Sequence, residues 1–318
     1  MNIVIVGMGA IGTTYATLLK NKGHKITAWV KEDKVAILKQ KKCKVTGIWG
    51  EYSERLDRVI SKAEEIGKEE QDLILIAVKS FDTLHIAKEI APLVTPNTKV
   101  ILLQNGLGNY EAAATYIPKE QILLARLIFG AVTVDIGESK VTAIADDVIL
   151  GSPEHFISKQ DFEPLVQVFK EAGIPTRYGD DIMMFIWGKV VYNASLNPLG
   201  ALFRVSYGEI IENRYTEELV KGIIIEIFNL LEAIGQKTLW HDADEYLKDF
   251  YANVIPRTAT HQSSMLQDIQ SGRKTEIDYL NGAIVELGKK YNLDMKTNEF
   301  TTSMIRAMEE FNHGKRVY

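Results

Sequence analysis

Lys189, Asn193 and Asn197 stand at i, i+4 and i+8 in the segment WGKVVYNASLNPLG. At ~100° per residue, each step of four advances only ~40°, so the three form one stripe on a helix. Asparagine is a poor helix-interior residue, and two of them in an otherwise apolar segment ask for a reason. Pro198 cannot continue a helix normally and biases Asn197 out of helical geometry, which predicts a helix broken at that point. An ammonium and two amides aligned beside a broken helix could grip a carboxylate and a ketone. The plainer reading is a polar face with Asn197 as its stop.

A second cluster lies in HQSSMLQDIQSGRKTEIDYLNG, residues 261–282. Ser264-x-x-Gln267 and Thr275-x-x-Asp278 both fit helix capping boxes, with Gly272 in the break between two helices. A capping serine can still donate its hydroxyl to a substrate oxygen. Glu276, in a first turn, would be stabilised as an anion by the helix dipole and could pair with a catalytic lysine. A third group sits where strands end. Gln104-Asn105-Gly106 follows an apolar strand, and Lys79 follows another; parallel sheets present ligands at that edge. As plain structure, Asn105-Gly106 is a turn dipeptide and Lys79 a solvated charge.

The N-terminus, MNIVIVGMGAIG, runs an apolar strand (Ile3, Val4, Ile5, Val6) directly into Gly7-x-Gly9-x-x-Gly12 and a helix. That order is how a chain seats a dinucleotide pyrophosphate. Gly7 permits the tight turn, Gly9 lets backbone approach phosphate, and Gly12 lets the helix pack close to the sheet. The helix N-terminus then offers free N–H groups to the anion. The loop Gly7, Met8, Gly9, Ala10, Ile11 and Gly12 is therefore the expected cofactor seat. After the second strand come Lys31, Glu32 and Asp33. A cation there suits the extra phosphate of NADP and an acid suits the ribose of NAD, so Lys31 favours NADP.

The elements that must position these groups fall into two halves. Up to about Tyr178, strands (residues 25–30, 72–78, 99–103) alternate with helices. Their continuous apolar runs imply a parallel sheet covered on both faces. Residues 122–133, 140–145 and 148–150 read as further strands of the same sheet. From Gly179 on, long helical patterns replace strands: 182–196, 216–234, 242–253, 277–291 and 297–312. The expected architecture is α/β: a doubly wound Rossmann-type domain over 1–178, then an all-α substrate domain over 179–318, with a cleft between them.

Composition agrees with an enzyme of small molecules. The chain has 318 residues, 46% hydrophobic and 25% charged, with a formal charge of −5 that gives nucleic acid no basic field. One cysteine, Cys43, excludes a disulfide framework. Its six histidines show no metal spacing. No apolar stretch reaches the ~20 residues that span a bilayer, and the N-terminal run belongs to the fold rather than to a signal peptide. A cytoplasmic location is expected.

In order and spacing these motifs closely resemble the ketopantoate reductases (2-dehydropantoate 2-reductases) over essentially the whole chain. The likeness rests on GMGAIG, VKS at Lys79, QNG at 104–106, the Lys189–Asn193–Asn197 stripe ending in NP, and SSMLQD…GRKTEIDYLNG. It implies NADPH-dependent reduction of 2-dehydropantoate to (R)-pantoate, on the way to pantothenate and coenzyme A. It also implies a helical half like the C-terminal domain of 6-phosphogluconate dehydrogenase. Lys189 becomes the general acid and Glu276 its partner. Asn193, Asn197, Ser264 and Asn105 become substrate contacts, and Lys79, Asn105 and Glu276 lie near NADP(H). An ammonium stabilises the oxyanion that hydride attack creates and then yields its proton. Two departures stand out: Lys31 where the family often has Arg, and ESKVTAIADD (residues 138–147) without the family's glycine-rich turn and histidine. Two alternatives stay open, a reductase of another branched 2-keto acid and a non-catalytic NADPH sensor. Amphipathic faces in the helical half leave room for a homodimer.

Overall fold

The computed structural model describes residues 1–67 and 69–314. It divides into two compact units, one from residues 1–104 with 109–182, the other from 105–108 and from Met183 onward.

The first unit is built on β1 (Asn2–Val6), whose Ile3, Val4, Ile5 and Val6 are all buried. A Gly-rich turn leads into α1 (Ala10–Asn21), then β2 (Lys25–Trp29) and α2 (Glu32–Gln40). Next come β3 (Cys43–Gly47), β4 (Tyr52–Glu54), β5 (Arg58–Ile60) and β6 (Leu73–Ile76). Then come α3 (Thr83–Ile90), β7 (Lys99–Leu102), α4 (Asn109–Ala114), β8 (Ile122–Arg126), β9 (Phe129–Asp135), β10 (Glu138–Ile144) and β11 (Val148–Gly151). The helix α5 (Lys159–Glu171) and β12 (Thr176–Tyr178) complete it. The main sheet runs β12-β11-β8-β7-β6-β1-β2-β5. From β5 to β8 all strands are parallel, and β11 adds to β8 antiparallel. That is the doubly wound order, with its switch point between β1 and β6.

The sheet assignment of two segments is corrected. Residues 129–133 and 140–145 were expected in the main sheet, but β9 and β10 form an antiparallel hairpin in a separate sheet, β4-β3-β10-β9. The difference is burial. All five residues of β8 are buried, whereas β9 and β10 each expose their far ends. An antiparallel hairpin can keep one face in water, and a parallel central strand cannot. Strands β3 to β5 are too short and polar to announce themselves in sequence.

The second unit has α6 (Ile182–Phe203), α7 (Tyr207–Glu212), α8 (Arg214–Ile234), α9 (Ala243–Asp249) and α10 (Ile255–Thr258). A π-helical turn, Phe250–Val254, joins the last two, so the helix expected over 242–253 is present and runs on to Thr258, with a π turn within it. Then come α11 (Ser264–Gln270), a 3₁₀ turn at Ile277–Tyr279, α12 (Asn281–Lys290) and α13 (Lys296–Gly314). Met265, Leu266, Ile269, Ile277, Leu280 and Ile305 form a core against Ala201. The side chain of His313 lies outside the described residues. No described helix is long and apolar enough to cross a membrane.

The predicted break at Pro198 does not occur. The helix α6 is continuous through it. Proline lacks the N–H that would bond the carbonyl four residues back, here Ala194. Asn281 supplies the missing donor: its Nδ2 lies 3.0 Å from Ala194 O. Asn281 is fully buried, and the same Nδ2 donates to Asn298 Oδ1 at 3.0 Å. Asn298 Nδ2 in turn donates to Glu226 at 2.7 Å. A buried amide relay thus substitutes for one helical hydrogen bond.

Candidate active site

The dinucleotide seat is formed in the first unit at the ends of β1 and β6. Gly7 has φ +95°, and a Cβ there would stand 2.9 Å from Val78 N. A Cβ on Gly12 would be 1.9 Å from Gly7 O, so only glycine lets α1 pack this close to the turn. At Gly9 a Cβ would meet nothing within 4 Å. It would project into open space. Gly9 caps α1 without a side-chain acceptor, and the first ladder bond is Thr13 N–H to Gly9 O at 2.9 Å. The N–H groups of Ala10, Ile11 and Gly12 therefore precede the ladder and suit an anion. These residues fit a dinucleotide. Met8 is buried in the core, leaving only its backbone to the loop.

Lys31 is exposed at the N-cap of α2. Glu32 accepts a hydrogen bond from Ser61 Oγ. Lys79 is half-buried and precedes a 3₁₀ turn, its carbonyl accepting from Asp82 N–H at 2.9 Å.

In the second unit, Asn105, Asn197, Ser264 and Glu276 share the wall of a small indentation with Met265, Asp268 and Leu280. The QNG turn reaches it because Gly106, at φ +86°, tolerates Tyr279 O where a Cβ would come within 2.3 Å. Leu107 N–H donates to the same carbonyl at 2.8 Å. Asn193 is buried and Lys189 half-buried on α6. They stand about 6 and 12 Å along the helix axis from Asn197 and are not part of the indentation's wall.

Residues 3–155 match the family described as ketopantoate reductase PanE/ApbA, and residues 181–309 match its C-terminal domain. The 2-dehydropantoate 2-reductase of Aquifex aeolicus is 44% identical, with 98% of each chain covered. The chain belongs to the ketopantoate reductase family. The Archaeoglobus fulgidus 2-dehydropantoate 2-reductase is 30% identical over 96% of this chain and 97% of that one. Among solved structures, the Geobacter metallireducens 2-dehydropantoate 2-reductase is similar with a TM-score of 0.86 at 29% identity, covering 96% and 99% of the two chains. A ternary structure of D-mandelate dehydrogenase with NADH and anilino(oxo)acetate shares the fold, with a TM-score of 0.88 at 24% identity and 98% and 99% coverage.

Within this ketopantoate reductase fold, both expected capping boxes are corrected. The cap of α11 is Ser263, whose Oγ accepts from Leu266 N–H at 3.0 Å and donates to Asn197 O at 3.1 Å. Ser264 is therefore relieved of capping and lines the indentation. Thr275 Oγ1 accepts from Ile277 N–H at 3.2 Å, two residues on, while Asp278 pairs with Arg306 at 2.7 Å. Glu276 precedes a single 3₁₀ turn, which has no helix dipole comparable to that invoked for it. Gly272, at φ +60°, does end the helix.

Several residues beside these groups escape sequence reasoning. Asp268 lines the indentation and pairs with Arg273 Nε at 2.9 Å. Its spacing of four from Ser264 was the available signal, because it puts both on one face of α11. Tyr207, ten residues past Asn197 on another helix, carried none. His261 packs its ring on Tyr207 at 5.1 Å, and burial lowers its pKa below the usual histidine value. No group of three or more His, Cys, Asp or Glu among the described residues could hold a metal ion.

Proposed function

We propose that this protein reduces 2-dehydropantoate to (R)-pantoate with NADPH, the step that supplies pantothenate and coenzyme A synthesis. The observation that carries the reading is the gathering of Asn105, Asn197, Ser264 and Glu276 on one indentation, in a chain 44% identical to a 2-dehydropantoate 2-reductase. When bound, NADPH supplies the hydride to the ketone carbon. Lys189 stabilises the oxygen as it gains charge and transfers a proton to it. Glu276 pairs with that lysine. Asn193, Asn197 and Ser264 hold the keto acid by neutral hydrogen bonds, which grip an anion without adding charge that would retain the product. Asn105 acts near substrate and cofactor, and Lys79 near the cofactor. Gly7 to Gly12 hold the pyrophosphate, and Lys31 the ribose phosphate.

The same reading assigns nucleotide binding to residues 1–178 and substrate binding and catalysis to 179–318. It includes a cytoplasmic location. It also includes a homodimer through the helical unit. Exposed Ile225 on α8 and Phe300 on α13 support this; at nearby Gly222 a Cβ would lie 3.1 Å from Thr297 of α13.

The test is NADPH oxidation by the purified protein with 2-dehydropantoate, beside NADH and a panel of other 2-keto acids. Selective turnover of 2-dehydropantoate with NADPH is expected. Preference for another keto acid would move the substrate, and NADPH binding without any turnover would leave a sensor.

A further inference from the structure

Asn197 is held at both of its polar ends. Its main-chain carbonyl accepts from Ser263 Oγ, and its side-chain Oδ1 accepts from the Tyr207 hydroxyl at 2.6 Å. Both contacts are buried. An asparagine amide can turn over and exchange oxygen for nitrogen, and the protein must decide which end faces the ligand.

The Tyr207 phenol makes that decision. A separation of 2.6 Å is short for N–H···O and ordinary for O–H···O, so the oxygen is the end facing Tyr207. Turning the amide over would set its NH₂ against the phenol. The buried hydroxyl proton would then lose its acceptor, which costs more than a solvent-exposed bond. The phenol is itself fixed: Tyr192 meets it edge-on at 5.7 Å, and His261 lies against the ring at 5.1 Å. Burial keeps the hydroxyl protonated well above the usual tyrosine pKa. With Oδ1 turned to Tyr207, the NH₂ is the end of the Asn197 amide that this contact leaves free, in a residue that lines the indentation.

We infer that Tyr207 is a positioning residue that locks the Asn197 amide with its NH₂ toward the substrate, making position 197 a dedicated donor for an acceptor oxygen of the keto acid. The inference rests on the proposed reduction. It adds to that reaction a residue that touches neither substrate nor cofactor. A site with a locked donor selects ligands by their acceptors and disfavours any that present an N–H or O–H at that point.

The experiment is steady-state kinetics of Tyr207→Phe against wild type, with 2-dehydropantoate and NADPH varied separately and thermal stability recorded. The ring, its edge contact and its volume survive this change, and only the hydroxyl is lost. The expected result is a KM for the keto acid raised about tenfold, as for one buried hydrogen bond. The KM for NADPH should stay unchanged. An Asn197 side-chain amide resonance that shifts in the variant without ligand would support the same conclusion. An unchanged keto-acid KM overturns the inference. So does a parallel rise of both KM values with lowered stability, which would mean a packing role alone. Absence of turnover in the wild type would instead count against the proposed reaction, and the amide resonance would then decide the positioning role by itself.

Discussion

Asn281 Nδ2 lies 3.0 Å from the carbonyl oxygen of Ala194, the one acceptor in α6 that Pro198 deprives of its helical partner. Eighty-seven residues apart in sequence, the two make one helical bond between them. Asn281→Ala is expected to cost about 2–3 kcal/mol in chemical denaturation, because it orphans buried acceptors. Asn281→Asp should cost more, since a carboxylate would face two carbonyl oxygens. Pro198→Ala restores the backbone donor, so the Asn281→Ala penalty should shrink in that background. Equal penalties in both backgrounds would refute the substitution of one donor for the other.

Lys189→Ala should reduce turnover by about 10²–10⁴-fold, the usual range for loss of a positioned acid. NADPH affinity, measured by fluorescence titration, should change little. Near-normal turnover would remove Lys189 from its assigned role.

The glycine loop allows two opposite outcomes from similar changes. Gly12→Ala places a Cβ 1.9 Å from Gly7 O and should destabilise the fold, with loss of soluble protein or a large fall in Tm. Gly9→Ala meets no protein atom. Its stability should stay within about 0.5–1 kcal/mol of wild type, while NADPH affinity falls more than about tenfold. Unaltered NADPH binding by Gly9→Ala would place the pyrophosphate elsewhere.

Lys31→Ala should erode the preference for NADPH over NADH by about tenfold or less, because an exposed ion pair is worth about 1 kcal/mol. Glu32 accepts from Ser61, so Ser61→Ala should free that carboxylate and weaken NADPH binding further. The ratio of kcat/KM for the two cofactors reports both effects.

Asp57 offers a pH test of the first unit. Burial opposes its charge, but Lys20 at 2.7 Å and Ile26 N–H at 2.8 Å outweigh this and hold its pKa below the ordinary 3.8. A carboxyl depressed on folding contributes stability that is complete above its unfolded pKa and is lost as pH falls through the folded one. Asp57→Asn should cost about 1 kcal/mol at neutral pH, discounted for its partial exposure. That difference should fade in denaturation curves below about pH 4.

Much of this was legible in the residues. Gly7 turns the chain and Gly12 lets the helix approach the turn as their spacing implied, because a tight turn has few solutions. The i, i+4, i+8 stripe is helical, yet the helix does not end at Pro198. Local rules describe what proline removes; they cannot see a donor arriving from Asn281, far along the chain. The exchange of Ser264 for Ser263 is a one-residue slip, and one residue is enough to move a serine from the helix cap to the wall of the indentation. The β9–β10 hairpin shows the same limit, since apolar runs reveal strands but not which sheet receives them. Tyr207 was invisible because its partner is set by packing alone.

The short stretch Asn105–Gly108 belongs to the compact unit that otherwise begins at Met183. The backbone therefore passes between the two units three times, at 104–105, 108–109 and 182–183. The helical half is not a cassette that one cut can release. A fragment beginning at Met183 would lack Leu107, whose N–H the Tyr279 carbonyl accepts. Recombination between relatives at a single junction would likewise pair a loop from one ancestor with a seat from another. Exchange of halves is tolerated only if Asn105 to Gly108 travel with the helices, so this tetrapeptide and the distant Tyr279 segment are expected to be inherited together.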